Sequence, residues 1–546
     1  MIGVKARPGQ EWAVEEFFEL FKTPWEFFRS DQVYDVVIAT SNDVPKIDKG
    51  LLLIYQAEHL EWDERHSLVG SERRNAGSVK HGNVTLPIYA GLLSFDVVPN
   101  LAIWADAGEG GAIVVSLSQA PLKVVRLGYN LFDEVEFLLT QGQPIENAGI
   151  PTLDLHVSML RDCILDAGIP IAEIPPVPAG HSFAVCLTHD IDFIGIRQHF
   201  LDHSMFGFVY RATIGSIQRF IQKRLTVPQV MRNWAAVASL PLVYAGLLRD
   251  FWEPFEWYLS VENGLDVTYF LIPVKHHPGD GLSGSRANLR ASAYDVTDIP
   301  ETAKRLLQHG CEVGVHGIDA WNSVEKGRME AQRVADSADQ MPKGIRMHWL
   351  MWDQDSPSKL ESAGFNYDST VGYNETIGYR AGTSQAFCPK GSKELLELPM
   401  HIQDGALFYP QRLNLSEKEA AEACSRIFDH AKQNGGVATL IWHDRSHGPE
   451  RFWGSFYVSL IETLKSSDVW FGTCADVAEW FRVRRSVKFK SEKVEGGRRV
   501  RMVSALGANN PGMRIRIYNK HSSSDDTQPA YSESCWDGRS AQEALL

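Results

Sequence analysis

The sequence of 546 residues predicts an α/β protein. Its middle section builds a parallel sheet or barrel, with an α/β domain before it and a small antiparallel β segment after it. Three observations predict this. Strand and helix signals alternate from residue 182 to 483, the order of folds whose chemistry sits at strand C-terminal ends. The segment Ile174-Pro175-Pro176-Val177-Pro178-Ala179-Gly180 cannot continue a helix and reads as a linker. Beyond 483, runs that alternate apolar with basic residues replace the helical signals. The expected divisions are 1–175, 182–483, 484–520 and a tail over 521–546.

Bulk properties narrow the function. The chain is too long for one core, and its 44% apolar and 22% charged residues are those of a globular protein. A formal charge of −14 argues against nucleic acid as the main partner. The seven cysteines are scattered without a Cys-x-x-Cys pair, as expected of reduced thiols in a cytoplasmic protein. The N-terminus carries no signal-peptide apolar core. The longest apolar run, 234–248, is short and contains Pro241, so no transmembrane span is expected and membrane contact would be peripheral.

In the first region, 34–39, 50–55, 84–89 and 112–117 read as strands, and 133–139 and 153–167 as helices. No catalytic constellation stands out there. In the middle section, 183–187 and 266–272 are strands, and 300–309 is a helix stopped by Gly310. The strand 312–315, a helix over 324–340, an extended piece at 344–347 and a helix stopped by Gly364 follow. Ser416 with Glu419 three residues on is a capping box that starts a helix ended by Gly435-Gly436. The apolar strand 437–442, a strand at 469–472 and a helix over 475–481 close the series.

Residues 197–264 form an insertion, whose stretch 205–225 is amphipathic and carries Arg211, Arg219, Lys223 and Arg224. It reads either as a helical cap on the barrel or as an interfacial helix that brings the protein to a lipid-linked substrate. After 483, the runs 487–490, 499–503 and 514–518 predict one sheet with a cationic face. From 521 the chain is polar, low in aliphatics and expected to be disordered.

Four strand ends carry the candidate chemistry. The first reads Leu187-Thr188-His189-Asp190-Ile191-Asp192. Two carboxylates one residue apart can divide a reaction, one holding a cation while the other takes a proton from water. A bare Asp-x-Asp is more often a capping or turn feature. Here three more strand ends match it: Val315-His316-Gly317, Arg346-Met347-His348-Trp349, and Leu440-Ile441-Trp442-His443-Asp444.

This order resembles that of the polysaccharide deacetylase (NodB-homology) family, carbohydrate esterase family four, over residues 182–483. The resemblance implies a distorted (β/α) barrel of seven or eight strands, holding a divalent metal, commonly zinc, and removing N- or O-acetyl groups from sugars. It implies Asp190 as general base, Asp192 and His316 as metal ligands, Arg346 as the residue orienting the base, and His443 as general acid. Trp442 and Leu440 are similar to the family's pocket wall for the acetyl methyl. Asp404 or Asp444 holds His443 in its cationic form, since a nearby carboxylate raises an imidazole's pKa.

The sequence departs from the family's His-x-x-x-His motif, because Ala320 stands four residues after His316. Asp319 or His348 is then the candidate third ligand. Among the polar loops after His348, Arg380 is a candidate contact for sugar hydroxyls or a phosphate, with ordinary loop packing as the plain alternative. The implied function is a metal-dependent sugar de-N-acylase in polysaccharide or surface-glycan biosynthesis, its carbohydrate free or carried on a lipid or nucleotide. The alternatives are hydrolysis of another non-peptide C–N bond, or a catalytically silent carbohydrate-binding protein on the same fold.

Overall fold

The structure, a computed structural model, describes residues 1–70, 73–81, 84–96, 102–106, 111–119, 121–280, 282, 284–494, 497–505, 511–518 and 531–546. The chain divides into two units. One comprises 1–180, 379–390 and 479–546, the other 181–378 and 391–478.

The first unit is built on a nine-stranded sheet. Trp25–Phe27, Ile2–Lys5, Val36–Ala39, Gly50–Tyr55 and Leu122–Leu127 run parallel, and four antiparallel strands extend the sheet from Ala112–Gln119 to Val84–Ile88. The expected helices are Leu131–Thr140 and Thr152–Asp166. Asn130 starts the former by accepting from the amides of Phe132 and Asp133 at 3.1 and 3.4 Å.

The C-terminal β segment differs from the single sheet expected. Its runs join two separate three-stranded sheets, and Met513–Tyr518 pairs with Ile171–Glu173, which precedes the linker. Arg514 and Arg516 share one carboxylate, each 2.6 Å from Glu533. The tail is not disordered throughout, since Tyr531–Trp536 and Gln542–Leu545 each close one of these sheets. Residues 521–530 lie outside the described residues.

The second unit holds a sheet of parallel strands in the order Leu396–Glu397, Tyr367–Asp368, Gly344–Met347, Glu312–Gly317, Val267–Leu271, Phe183–Ile191, Val437–Ile441, Ile402–Gln403. Val469–Phe471 pairs beside the start of Phe183–Ile191 as a ninth strand, where seven or eight were expected. The end strands are not paired with each other, so the sheet is a parallel half-barrel.

All nine residues of Phe183–Ile191 are buried, as a central parallel strand covered on both faces requires. Gly344 opens its strand because a Cβ there would fall 1.9 Å from the ring of Tyr367. Gly364, at φ 104°, ends Ser356–Ala363 in the left-handed region. The capping box is present, with the Ser416 amide donating to Glu419 at 2.8 Å and the Glu419 amide to Ser416 Oγ at 3.3 Å. The insertion carries His203–Tyr210, a wider turn at Arg211–Gly215, Ser216–Ile221 and Val227–Tyr244.

Candidate active site

Strand alternation sorts the first motif. Thr188 and Asp190 point into the half-barrel, whereas His189 points outward. There its ring meets the carbonyl of Trp442 and Glu262 Oε1, each at 2.7 Å, and packs on Tyr258. His189 is therefore a structural histidine beneath the site.

Asp190 is held by Arg346. The guanidinium is fully buried and donates to Asp190 Oδ1 at 2.7 Å, Thr188 Oγ1 at 2.8 Å, and the carbonyl and hydroxyl of Ser369 at 2.9 Å each. Burial alone would raise the Asp190 carboxyl. Arg346, His316 and His443 outweigh it and hold the group below the usual range. Asp190 Oδ2 remains, 4.0 Å from His316 Nε2.

Three further side chains meet beside it. Asp192 Oδ1 lies 3.3 Å from His316 Nε2 and 3.2 Å from His348 Nδ1, and the two ring nitrogens are 3.1 Å apart. The outer nitrogens decide the tautomers. His316 Nδ1 faces the carbonyl of Arg346 at 3.0 Å, and His348 Nε2 faces the carbonyl of Arg290 at 3.0 Å. A carbonyl only accepts, so each outer nitrogen carries a proton, and in the neutral ring the inner one presents a lone pair. Burial pushes the His348 imidazole down, in keeping with its neutral form.

Asp192 Oδ1 is buried without a hydrogen-bond donor. With both rings neutral, three lone-pair atoms converge within 3.3 Å of one another. Ligands at about 2.0–2.2 Å around a tetrahedral zinc stand about 3.3–3.5 Å apart, close to these separations. The donor set fits a divalent cation, and the two backbone carbonyls orient the imidazoles as metal-site supports do.

Asp319 does not join this trio. Its carboxylate is taken by Lys326 Nζ and His277 Nε2 at 2.8 Å each and by the Asp280 amide at 2.8 Å. The third ligand atom comes from His348, which directly follows the next strand, Gly344–Met347.

His443 stands across the same pocket. Its Nδ1 donates to Asp404 Oδ1 at 2.6 Å, while Asp404 Oδ2 accepts from the His443 amide at 2.9 Å and from Ser446 Oγ. Burial opposes the charge, but Asp404, Asp192 and Asp190 raise the imidazole to about 10. Asp404 itself is held down at about 2 by His443 against its own burial. Of the two carboxylates considered, Asp404 is the one bonded to the ring. Asp444 instead accepts from the Asp192 amide at 3.2 Å, and burial pushes its carboxyl up to about 6.

The pocket, about 180 Å³, is lined by Asp190, Asp192, His316, His348, Ile441 and His443, among others. Leu440 and Trp442 are not in its lining. They share the outward face of their strand, and Trp442 stacks on Phe456 and Tyr457. Ile441, between them, faces inward instead. Arg380 belongs to the first unit, where it donates to the carbonyls of Gln141 and Gln143.

Sequence reasoning missed Arg412, Arg445 and Arg451, which also line the pocket. Arg445 lies over the rings of Phe193 and Trp252, and Arg451 donates to Tyr409 Oη at 2.6 Å. The one available signal was the position of Arg445, two residues after His443 at a strand end.

No family model matches the chain, and no curated protein matches it. Among solved structures, a protein assigned as a polysaccharide deacetylase from Mycobacterium smegmatis is similar at 18% identity and TM-score 0.35, covering 57% of this chain and 95% of that one. An allantoinase is similar at 15% identity and TM-score 0.33, over 56% and 92%. A family 4 carbohydrate esterase from Streptomyces lividans is similar at 14% identity and TM-score 0.23, over 40% and 85%. Likenesses at this level carry no argument about chemistry, which rests on the residues above.

Proposed function

We propose that the protein is a divalent-metal-dependent hydrolase that removes an N-acyl group, such as acetyl, from a sugar. The observation that carries this reading is the meeting of three ligand atoms, from Asp192, His316 and His348, between a buried carboxylate and a cationic imidazole. A cation such as zinc held by the three, when bound, supplies polarisation of an acyl carbonyl and acidification of a water.

The chain's own groups divide the proton work. Asp190, ionised beside Arg346, accepts the proton of the attacking water at Oδ2, since Oδ1 is committed to the guanidinium. Arg346 fixes the carboxylate's orientation through four hydrogen bonds to three residues. His443 keeps Nδ1 on Asp404, which leaves its Nε2 proton for the departing nitrogen. Ile441 offers an apolar surface for an acyl methyl.

Metal analysis and acetate release from an acetamido sugar test the reading together. Stoichiometric metal is expected in the unaltered protein, lost in His348→Ala and retained in Asp319→Ala. His443→Ala should keep the metal and lower turnover by about two to four orders of magnitude. A metal-free, inactive parent protein would favour the silent carbohydrate-binding alternative.

A further inference from the structure

The insertion displays an apolar surface beside the pocket. Its helices pack together on their inner faces, where Phe208, Ala212, Ala236, Leu240 and Val243 meet Trp252. The outer faces are apolar as well. Phe206, Tyr210, Ile214, Ile217 and Ile221 recur at helical spacing and are 56%, 53%, 51%, 46% and 73% exposed. Val227, Met231 and Trp234 are likewise exposed on the helix that follows. Fourteen of the twenty-six exposed large apolar side chains among the described residues fall within 200–248. Such concentration marks an interaction surface rather than scattered exposure.

Charge selects the occupant. Residues 203–249 contain six Lys or Arg and no Asp or Glu, in a chain whose net charge is −14; Arg211 pairs with Glu450 and Arg249 with Glu253, which leaves Arg219, Lys223, Arg224 and Arg232 without a carboxylate partner among the described ion pairs. Lys223 and Arg232 are exposed among the apolar groups. A second copy is disfavoured, because a two-fold pairing would set this basic patch against itself. No helix among the described residues is long and apolar enough to cross a membrane, so the surface would lie on a bilayer rather than span it. A groove of about 770 Å³ runs from Tyr210, Gln218 and Arg219 on these helices to Asp192 and His348.

We propose that the helical pair docks the protein on an anionic phospholipid bilayer. Its apolar face enters the interface, and the groove opens at the membrane surface. The substrate is then a glycan carried on a lipid anchor in that bilayer, a second step that rests on the N-acyl hydrolase reading above.

Co-sedimentation of the full chain with vesicles tests docking without using turnover. Binding to phosphatidylcholine vesicles containing phosphatidylglycerol is expected to exceed binding to phosphatidylcholine alone and to fall with salt. Ile214→Asp with Ile217→Asp should abolish binding while leaving the thermal melt unchanged. Lys223→Glu with Arg232→Glu should weaken it about thirtyfold or more, at roughly one kcal/mol for each basic side chain near an anionic surface. Absence of vesicle binding overturns the proposal. So does binding that survives both double variants, or a solution dimer that the isoleucine variants dissociate. If the parent binds vesicles as described yet releases no acetate, docking stands and the hydrolase reading fails.

Discussion

Replacing Asp404 with Asn removes the charge that keeps His443 an acid. The carboxylate is fully buried and spends both oxygens on the His443 residue and Ser446. It is the largest influence raising the imidazole to about 10 against its burial. Without that charge the ring falls from about 10 toward its ordinary value of about 6.5, with burial still lowering it and Asp192 and Asp190 still raising it. At a value near 6.5 the protonated fraction at pH 7.5 is about one-tenth. Turnover at that pH should fall by up to about tenfold, and the alkaline limb of the pH–rate profile should move from near 10 toward 6.5. Metal content should stay unchanged, since Asp404 touches none of the three ligands. The assay is acetate release across pH, with metal analysis alongside. An alkaline limb that does not move would refute His443 as the acid supported by Asp404.

Three other outcomes follow from the same geometry. Arg346→Gln leaves Asp190 buried without its cation; urea denaturation should show a loss of about 3–5 kcal/mol, and the acidic limb of activity should rise as the Asp190 pKa goes up. His156, buried with both ring nitrogens unpartnered, is pushed down to about 3 by burial. Its neutral form stabilises the fold above the unfolded value of about 6.5, and that contribution is lost as pH falls from there toward 3. His156→Phe should therefore flatten the acid side of the stability curve by about one proton. Finally, Trp442→Ala should cost about 3–5 kcal/mol of stability with little change in KM, whereas Ile441→Ala should lower kcat/KM about tenfold. The reverse pattern would show the strand's inward face misassigned.

Much of the site was legible because its parts are local signals at strand ends. The Asp190–Asp192 pair, His316, Arg346 and His443 each follow an apolar run, and parallel α/β sheets gather such ends on one side. The helix stops were equally readable, since glycine and capping residues act over a few positions. Tertiary structure decided the rest. The strand Val437–Ile441 is buried on both faces, so its sequence has no clear alternation to tell Ile441 from Leu440 and Trp442. Asp319 and His348 were equal candidates until packing gave the first to Lys326 and His277, and turned the second onto Asp192. Asp404 was separated from Asp444 only by contacts between residues some forty positions apart. Sequence periodicity fixes which elements form and where they end; the direction of each polar side chain beyond a strand end depends on partners that only the folded chain brings near.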